Sequence, residues 1–232
     1  MTGLKERRQL ALYVALGLSA GSGLFLDAST AYASDITIAS TDTGYASGIN
    51  GTEATGNKDG NNVTVGETGA AGPTINGDVV GGYAAAGDTS NNTVTIKSIA
   101  LDPTKSVYGG KSDTGAAVNN TVVLEAGTPA NAYGGYSMGA GAVHHNAVRI
   151  AGAAAVHVYG GDTIGTGAVL NNTVSIESGT AANLYGGHTV STGTVRSNIV
   201  RVTGGEVTNV YGGQSTNGRI TKIGRASCRE RV

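Results

Sequence analysis

Six Gly-Gly pairs at near-constant spacing limit what this chain can fold into. Their first glycines stand at 81, 109, 134, 160, 186 and 212, so the gaps are 28, 25, 26, 26 and 26. A second marker keeps the same beat. The asparagine that opens each Asn-Thr-Val-like segment falls at 92, 120, 146, 172 and 198, with gaps of 28, 26, 26 and 26. Two independent markers on one period describe a stack of similar units, each too small to bury a core alone. The consensus unit reads Val-Tyr-Gly-Gly, a polar stretch, a short Gly-x-Val, Asn-Asn-Thr-Val-x-Ile, then Gly-Thr and back to Val-Tyr.

Within a unit the apolar residues alternate: Val94 and Ile96, Val122 and Leu124, Val148 and Ile150, Val174 and Ile176, Val200 and Val202. Alternating β-branched residues mark a strand with one buried face. A second strand ends in Tyr108, Tyr133, Tyr159, Tyr185 and Tyr211, and a shorter third carries Ala117, Val143, Val169 and Val195. Gly-rich corners separate them, because a tight corner needs backbone that glycine adopts readily. The repeats contain no helical periodicity, no leucine ladder, and too few residues per unit for a propeller blade. The expected fold is therefore all-β: a parallel β-helix solenoid of about 26-residue coils, stacked at about 4.8 Å, with aliphatic ladders inside and Asn and Thr ladders at the corners.

Composition agrees only when the period is considered. The chain has 232 residues, 39 of them Gly, one Phe and no Trp, and 13% are charged. Such a composition alone suggests disorder, but stacked coils need only small residues inside. Residues 1–33 read as a secretory signal peptide: Lys5, Arg7 and Arg8, then an apolar run from Leu10 to Leu26, then Ala31-Tyr32-Ala33, with cleavage expected before Ser34. Residues 34–79 read as an N-terminal cap with irregular first coils, and residues 80–222 as the repeats, with Lys97–Ser106 inserted as a loop. Residues 223–232 break the pattern. They read like one translation frame of a common sequencing-library adapter, so the natural chain is expected to continue past Lys222. Between the two ends lie nine basic and thirteen acidic residues, a net charge of −4, and no cysteine, since Cys228 is the only one. A mildly acidic body lacks the electrostatic footprint of a nucleic-acid binder, and disulfides do not hold it together.

Few residues suggest chemistry. His144, His145 and His157 would need convergent geometry and a further ligand to hold a metal, and they read as polar substitutions in ladders, His145 at the position of Asn119 and His157 at that of Asn131. Asp88, Asp113, Asp162 and Glu177 are scattered singly among the repeats, whereas glycan hydrolysis needs carboxylates gathered on one face. Gly81-Gly82 with Asp88 does not match the calcium-binding nonapeptide. No catalytic, metal or cofactor site is expected. If Val158, Leu184 and Val210 point inward, then Tyr108, Tyr133, Tyr159, Tyr185 and Tyr211 form an outward ladder. Such a ladder either packs over the Gly-Gly corners or meets sugar rings or a partner.

An export signal followed by Val107-Tyr-Gly-Gly, Val158-Tyr-Gly-Gly, Leu184-Tyr-Gly-Gly, Val210-Tyr-Gly-Gly and the Asn-Asn-Thr-Val segments at 91, 119 and 171 resembles the passenger region of bacterial autotransporters. The resemblance covers roughly residues 80–222. It implies a right-handed β-helix, a C-terminal β-barrel anchor in the outer membrane that would lie outside this sequence, and an adhesive role toward host or cell-surface glycan or matrix. After signal removal this segment itself would not contact the membrane. Two other readings remain open: a β-helical scaffold for a glycan-active enzyme, and a secreted matrix or layer component without a barrel.

Overall fold

The computed structural model describes residues 34–39, 42, 48–221 and 226–228. They form a parallel β-solenoid of about seven coils with almost no helix. Each full coil contributes to three ladders of strands, and every pairing is parallel. The first ladder stacks Ser34–Ile38, Asn61–Val65, Thr93–Ile96, Thr121–Leu124, the start of Ala147–Thr163, the start of Thr173–Thr189, and Ile199–Val202. The second stacks Ile49–Asn50, Val79–Ala84, Ser106–Ser112, Asn131–Ser137, the ends of the two 17-residue strands, and Glu206–Tyr211. The third is a ladder of two-residue strands from Thr89–Ser90 to Ile220–Thr221.

The register follows the sequence period. Val148 lies beside Val174 and Val174 beside Val200, each 26 residues on. Identical side chains therefore form columns along the axis. Val63, Val94, Val122, Val148, Val174 and Val200 make one inward column, and Val65, Ile96, Leu124, Ile150 and Ile176 the next, all at 1% exposure or less. Val79, Val107, Ala132, Val158 and Leu184 close the core from the second ladder, all buried just as fully. Burying a Val, Leu or Ile side chain contributes roughly 1.5–3 kcal/mol, so a narrow core of small residues suffices when every coil repeats it.

A column of buried asparagines runs beside the aliphatic ones. Asn92, Asn120, Asn146, Asn172 and Asn198 are at most 1% exposed. The backbone N–H and side-chain Nδ2 of each donate to Oδ1 of the next: Asn120 to Asn146 at 2.9 and 3.0 Å, Asn146 to Asn172 at 2.9 and 3.0 Å, Asn172 to Asn198 at 2.9 and 3.0 Å. Nδ2 also reaches a backbone carbonyl of the third ladder, from Asn146 to Ala117, Asn172 to Val143 and Asn198 to Val169. Asparagine suits the place because its short side chain both accepts and donates. The carboxamide explains the Gly-Gly pair. A Cβ on Gly110, Gly135, Gly161 or Gly187 would collide with the amide of Asn120, Asn146, Asn172 or Asn198. A Cβ on Gly109, Gly134, Gly160 or Gly186 would lie 2.5–2.6 Å from the carbonyl oxygen of the corresponding glycine one coil on. The residue before each buried asparagine turns the corner in the left-handed region: Asn91, Asn119, His145, Asn171 and Ser197, with φ between 54° and 58°.

The first coils depart from the period for visible reasons. A one-turn helix, Gly51–Thr55, capped by the Asn50 side chain and ended by Gly56 at φ 76°, lengthens an early coil. The Lys97–Ser106 insertion, expected as a loop, instead builds a local ladder: Ala100–Leu101 pairs with Thr74–Ile75, and Leu101 is buried, as is Ile75. An apolar residue at the insertion's centre gains more from packing on its neighbour than from facing water. Of the residues set aside as foreign, Ala226–Cys228 pairs in parallel with Val200–Val202 at the same 26-residue offset.

Asn146→Ala leaves the N–H and Nδ2 of Asn120 without their acceptor. At roughly 1–3 kcal/mol per buried unsatisfied group, urea denaturation should show a loss of about 3 kcal/mol. Thr89 is the opposite case. Its buried Oγ1 has no partner, and it shares a column with Ala117, Val143, Val169 and Val195. Thr89→Val should raise stability by about 1 kcal/mol in the same measurement. An unchanged or lowered midpoint would contradict this reading of the column.

Candidate functional site

The second ladder carries the candidate surface. Since Val107, Ala132, Val158 and Leu184 face the core, the next residue in each strand faces out. Tyr108, Tyr133, Tyr159, Tyr185 and Tyr211 are accordingly in register and half-buried on the outside. Their rings stack in one pile, with centroids 4.8, 4.9, 4.8 and 4.8 Å apart and planes within 7°. The spacing is that of the coils, so the backbone sets it.

Two polar columns flank the pile. On one side run Ser106, Asn131, His157, Asn183 and Asn209. They bridge coil to coil: Asn131 Nδ2 to Ser106 Oγ at 3.2 Å, Asn183 Nδ2 to His157 Nδ1 at 2.9 Å, Asn209 Nδ2 to Asn183 Oδ1 at 2.9 Å. Beyond the Gly-Gly corner run Lys111, Tyr136, Asp162, His188 and Gln214. These fold back on the pile. The Lys111 ammonium sits 5.1 Å from the centre of the Tyr108 ring. Tyr136 meets Tyr108 and Tyr133 edge-on or tilted, and His188 meets Tyr159 and Tyr185, both at 5.4 Å. Within the pile the ring faces cover one another, so what they offer outward is edges.

Burial pushes the Tyr108 hydroxyl up to about 12, helped by the charge of Asp78. Burial and then the Asp162 carboxylate raise Tyr133 and Tyr159 as well. Asp162, 6% exposed, is itself raised by burial, against the bond from the His188 ring, whose Nδ1 lies 2.7 Å from Oδ1. This Asp162–His188 pair was not foreseen. The signal was available, because the two residues occupy equivalent places one 26-residue period apart.

The other candidates separate. His157 lies in the column beside the tyrosines, whereas His144 ends the third-ladder strand Val143–His144 and His145 takes the corner that follows it. Among the described residues no group of three or more His, Cys, Asp or Glu is placed to hold a metal. The four acidic residues are each committed to a neighbouring coil: Asp88 accepts from the N–H of Ala116, Asp113 from the Tyr83 hydroxyl at 2.6 Å, Asp162 from His188, and Glu177 from Arg149. Of the expected cleavage residues, Ala31 and Ala33 lie outside the described residues, as does the rest of the signal, and Ser34 opens the first strand opposite Asn61. The chain matches no protein-family model, no curated protein and no solved structure.

The raised tyrosines carry a sign. A hydroxyl whose folded pKa exceeds its unfolded value of 10.0 contributes fully below pH 10 and loses that contribution as pH rises through the folded value, about 12 for Tyr108. Absorbance at 295 nm should show the stacked tyrosines ionising late, and stability should fall from pH 10 upward. Tyr133→Phe should flatten that alkaline fall; an equally steep fall would dissociate the pile from it.

Proposed function

We propose that the chain is a non-enzymatic β-helical stalk from a bacterial surface protein, an adhesin passenger of the autotransporter kind. One observation carries the reading: coil after coil repeats in register, with the chemistry of each outward column spent on the coil above or below. The buried amides, the ring pile, the Asn/His column and the pairs Asp162–His188 and Arg149–Glu177 all link neighbouring coils. A molecule built this way works by extension and repetition. It holds a surface or a distal tip away from the cell, and its exposed ring edges and polar columns offer many weak contacts at coil spacing. Weak contacts in number give firm attachment when several engage together. The signal-like residues 1–33 and the Val-Tyr-Gly-Gly repeats support placement at the outer surface.

The Asp162–His188 pair is the one feature that favours a glycan-active scaffold. Its neighbours are ring carbons and a second imidazole-to-ring contact rather than an opposing carboxylate, so the stalk is the better reading.

The test is retention of glycans and matrix proteins by the purified chain, compared as single molecules and displayed densely on beads. The stalk-adhesin reading expects weak capture by the soluble chain and retention at least tenfold higher on beads. Absence of capture across a broad panel in both formats would reduce the role to that of a spacer. Release of new reducing ends from any polysaccharide, abolished by Asp162→Asn, would replace it with the enzyme.

A further inference from the structure

The repeat changes character at one corner. His144 occupies the register held by Val118 one coil before and Leu170 one coil after. His145 takes the left-handed corner position that Asn119 and Asn171 hold, at φ 58°. Two consecutive departures from the repeat, both to imidazole, fall on the same rung. Their side chains meet: the Nδ1 atoms lie 2.9 Å apart, with the ring planes at 84° and centroids 5.1 Å apart. Nothing in the stacking of the coils requires this, since the rungs on either side fold with an aliphatic residue and an asparagine.

We propose that His144 and His145 form a two-nitrogen chelate for a divalent late transition metal, copper(II) above the others. The argument is geometric. Metal–imidazole bonds are about 2.0 Å, and two such bonds spanning 2.9 Å enclose about 90°. That is the angle between neighbouring ligands of a square-planar ion, the geometry of Cu²⁺ and Ni²⁺. Tetrahedral zinc would need nitrogens about 3.3 Å apart at the same bond length. Among divalent first-row ions imidazole sites hold copper most tightly. Rotation about the side-chain torsions turns both lone pairs from each other onto one ion, with water completing the square on the exposed side of His145.

The surroundings of His144 suit this. Partial burial, and then the neighbouring His145, hold His144 below the ordinary imidazole range, against the opposing pull of Asp88. A neutral ring keeps its lone pair. Without metal, one Nδ1 must carry the hydrogen shared between the rings. On binding, both rings present bare Nδ1 and carry their hydrogen on Nε2. His145 Nε2 lies 3.5 Å from the Asn171 side-chain amide one coil on. Turned to present its oxygen, that amide accepts the Nε2–H and holds the ring in the metal-binding tautomer, as outer partners of metal-bound histidines do.

The repeat supplies the control. His144→Leu and His145→Asn install the residues that the next coil carries in those places, so both variants should keep the β-sheet circular dichroism and thermal midpoint of the parent. The experiment titrates CuCl₂ into the full chain against glycine as competitor, with Cys228→Ser in every sample so that no thiol takes part. The expected result is one equivalent bound, with electron paramagnetic resonance showing coupling to two imidazole nitrogens. Affinity should fall at least tenfold in either single variant, and binding should be lost to the competitor in the double variant. His157 and His188 remain in the double variant. Copper retained there with unchanged affinity, or no equivalent bound by the parent, overturns the proposal.

Discussion

The fold depends on a hydrogen bond between like side chains. An amide buried in an aliphatic core costs free energy unless it is paired, and a single Asn among Val and Ile would be a defect. Stacked at coil spacing, each Asn becomes the partner of the next. The Oδ1 of Asn146 takes the backbone N–H and the Nδ2 of Asn120, while its own donors go to Asn172 and Ala117. A register shift of even one residue would bury unpaired amides in every coil at once. The column is therefore as much a device for specifying register as for stability, in keeping with the high stakes of fully satisfied buried polar networks. The glycines follow from it, since the amide occupies the volume where a Cβ on Gly135 or Gly161 would sit.

The outside of the molecule obeys the same logic with weaker forces. The tyrosine pile and the Asn/His bridges are contacts between equivalent places one coil apart, and the Arg149–Glu177 pair joins neighbouring coils two residues off that register. The ion pair is exposed on both sides and contributes little. The rings contribute more, because their stacked faces bury one another coil after coil. Tyr159 and Gly161 belong to one strand: the small residue admits the Asn172 amide on the inside, and the ring joins the pile on the outside.

The period made most of this legible. Two markers with 26-residue gaps gave the solenoid, the three strands per coil, the inward column from Val94 to Val200 and the outward placement of the tyrosines. The sequence could not distinguish the two asparagines of Asn-Asn-Thr. One is the corner residue in left-handed conformation and the other is the core amide, and only the coordinates separate Asn171 from Asn172. The Lys97–Ser106 insertion reads as a loop because its strand, Ala100–Leu101, is too short to alternate visibly. The Asp162–His188 and His144–His145 contacts went unseen for opposite reasons. The first joins residues distant in sequence, whose equivalence the period already contained. The second joins neighbours, which an alternating strand would send to opposite faces, and it is the left-handed backbone of His145 that turns the rings together.

The asparagine column also has a direction. From Asn92 to Asn172 each rung gives its backbone N–H and one Nδ2 hydrogen to the Oδ1 of the next rung on the C-terminal side, while the second Nδ2 hydrogen of Asn146 and Asn172 turns back to a carbonyl. A newly laid coil ends in an amide whose hydrogens are waiting, and the coil that follows brings the acceptor. Each turn is thus closed by the one that follows it, and tension along the axis falls on these bonds rung by rung in series.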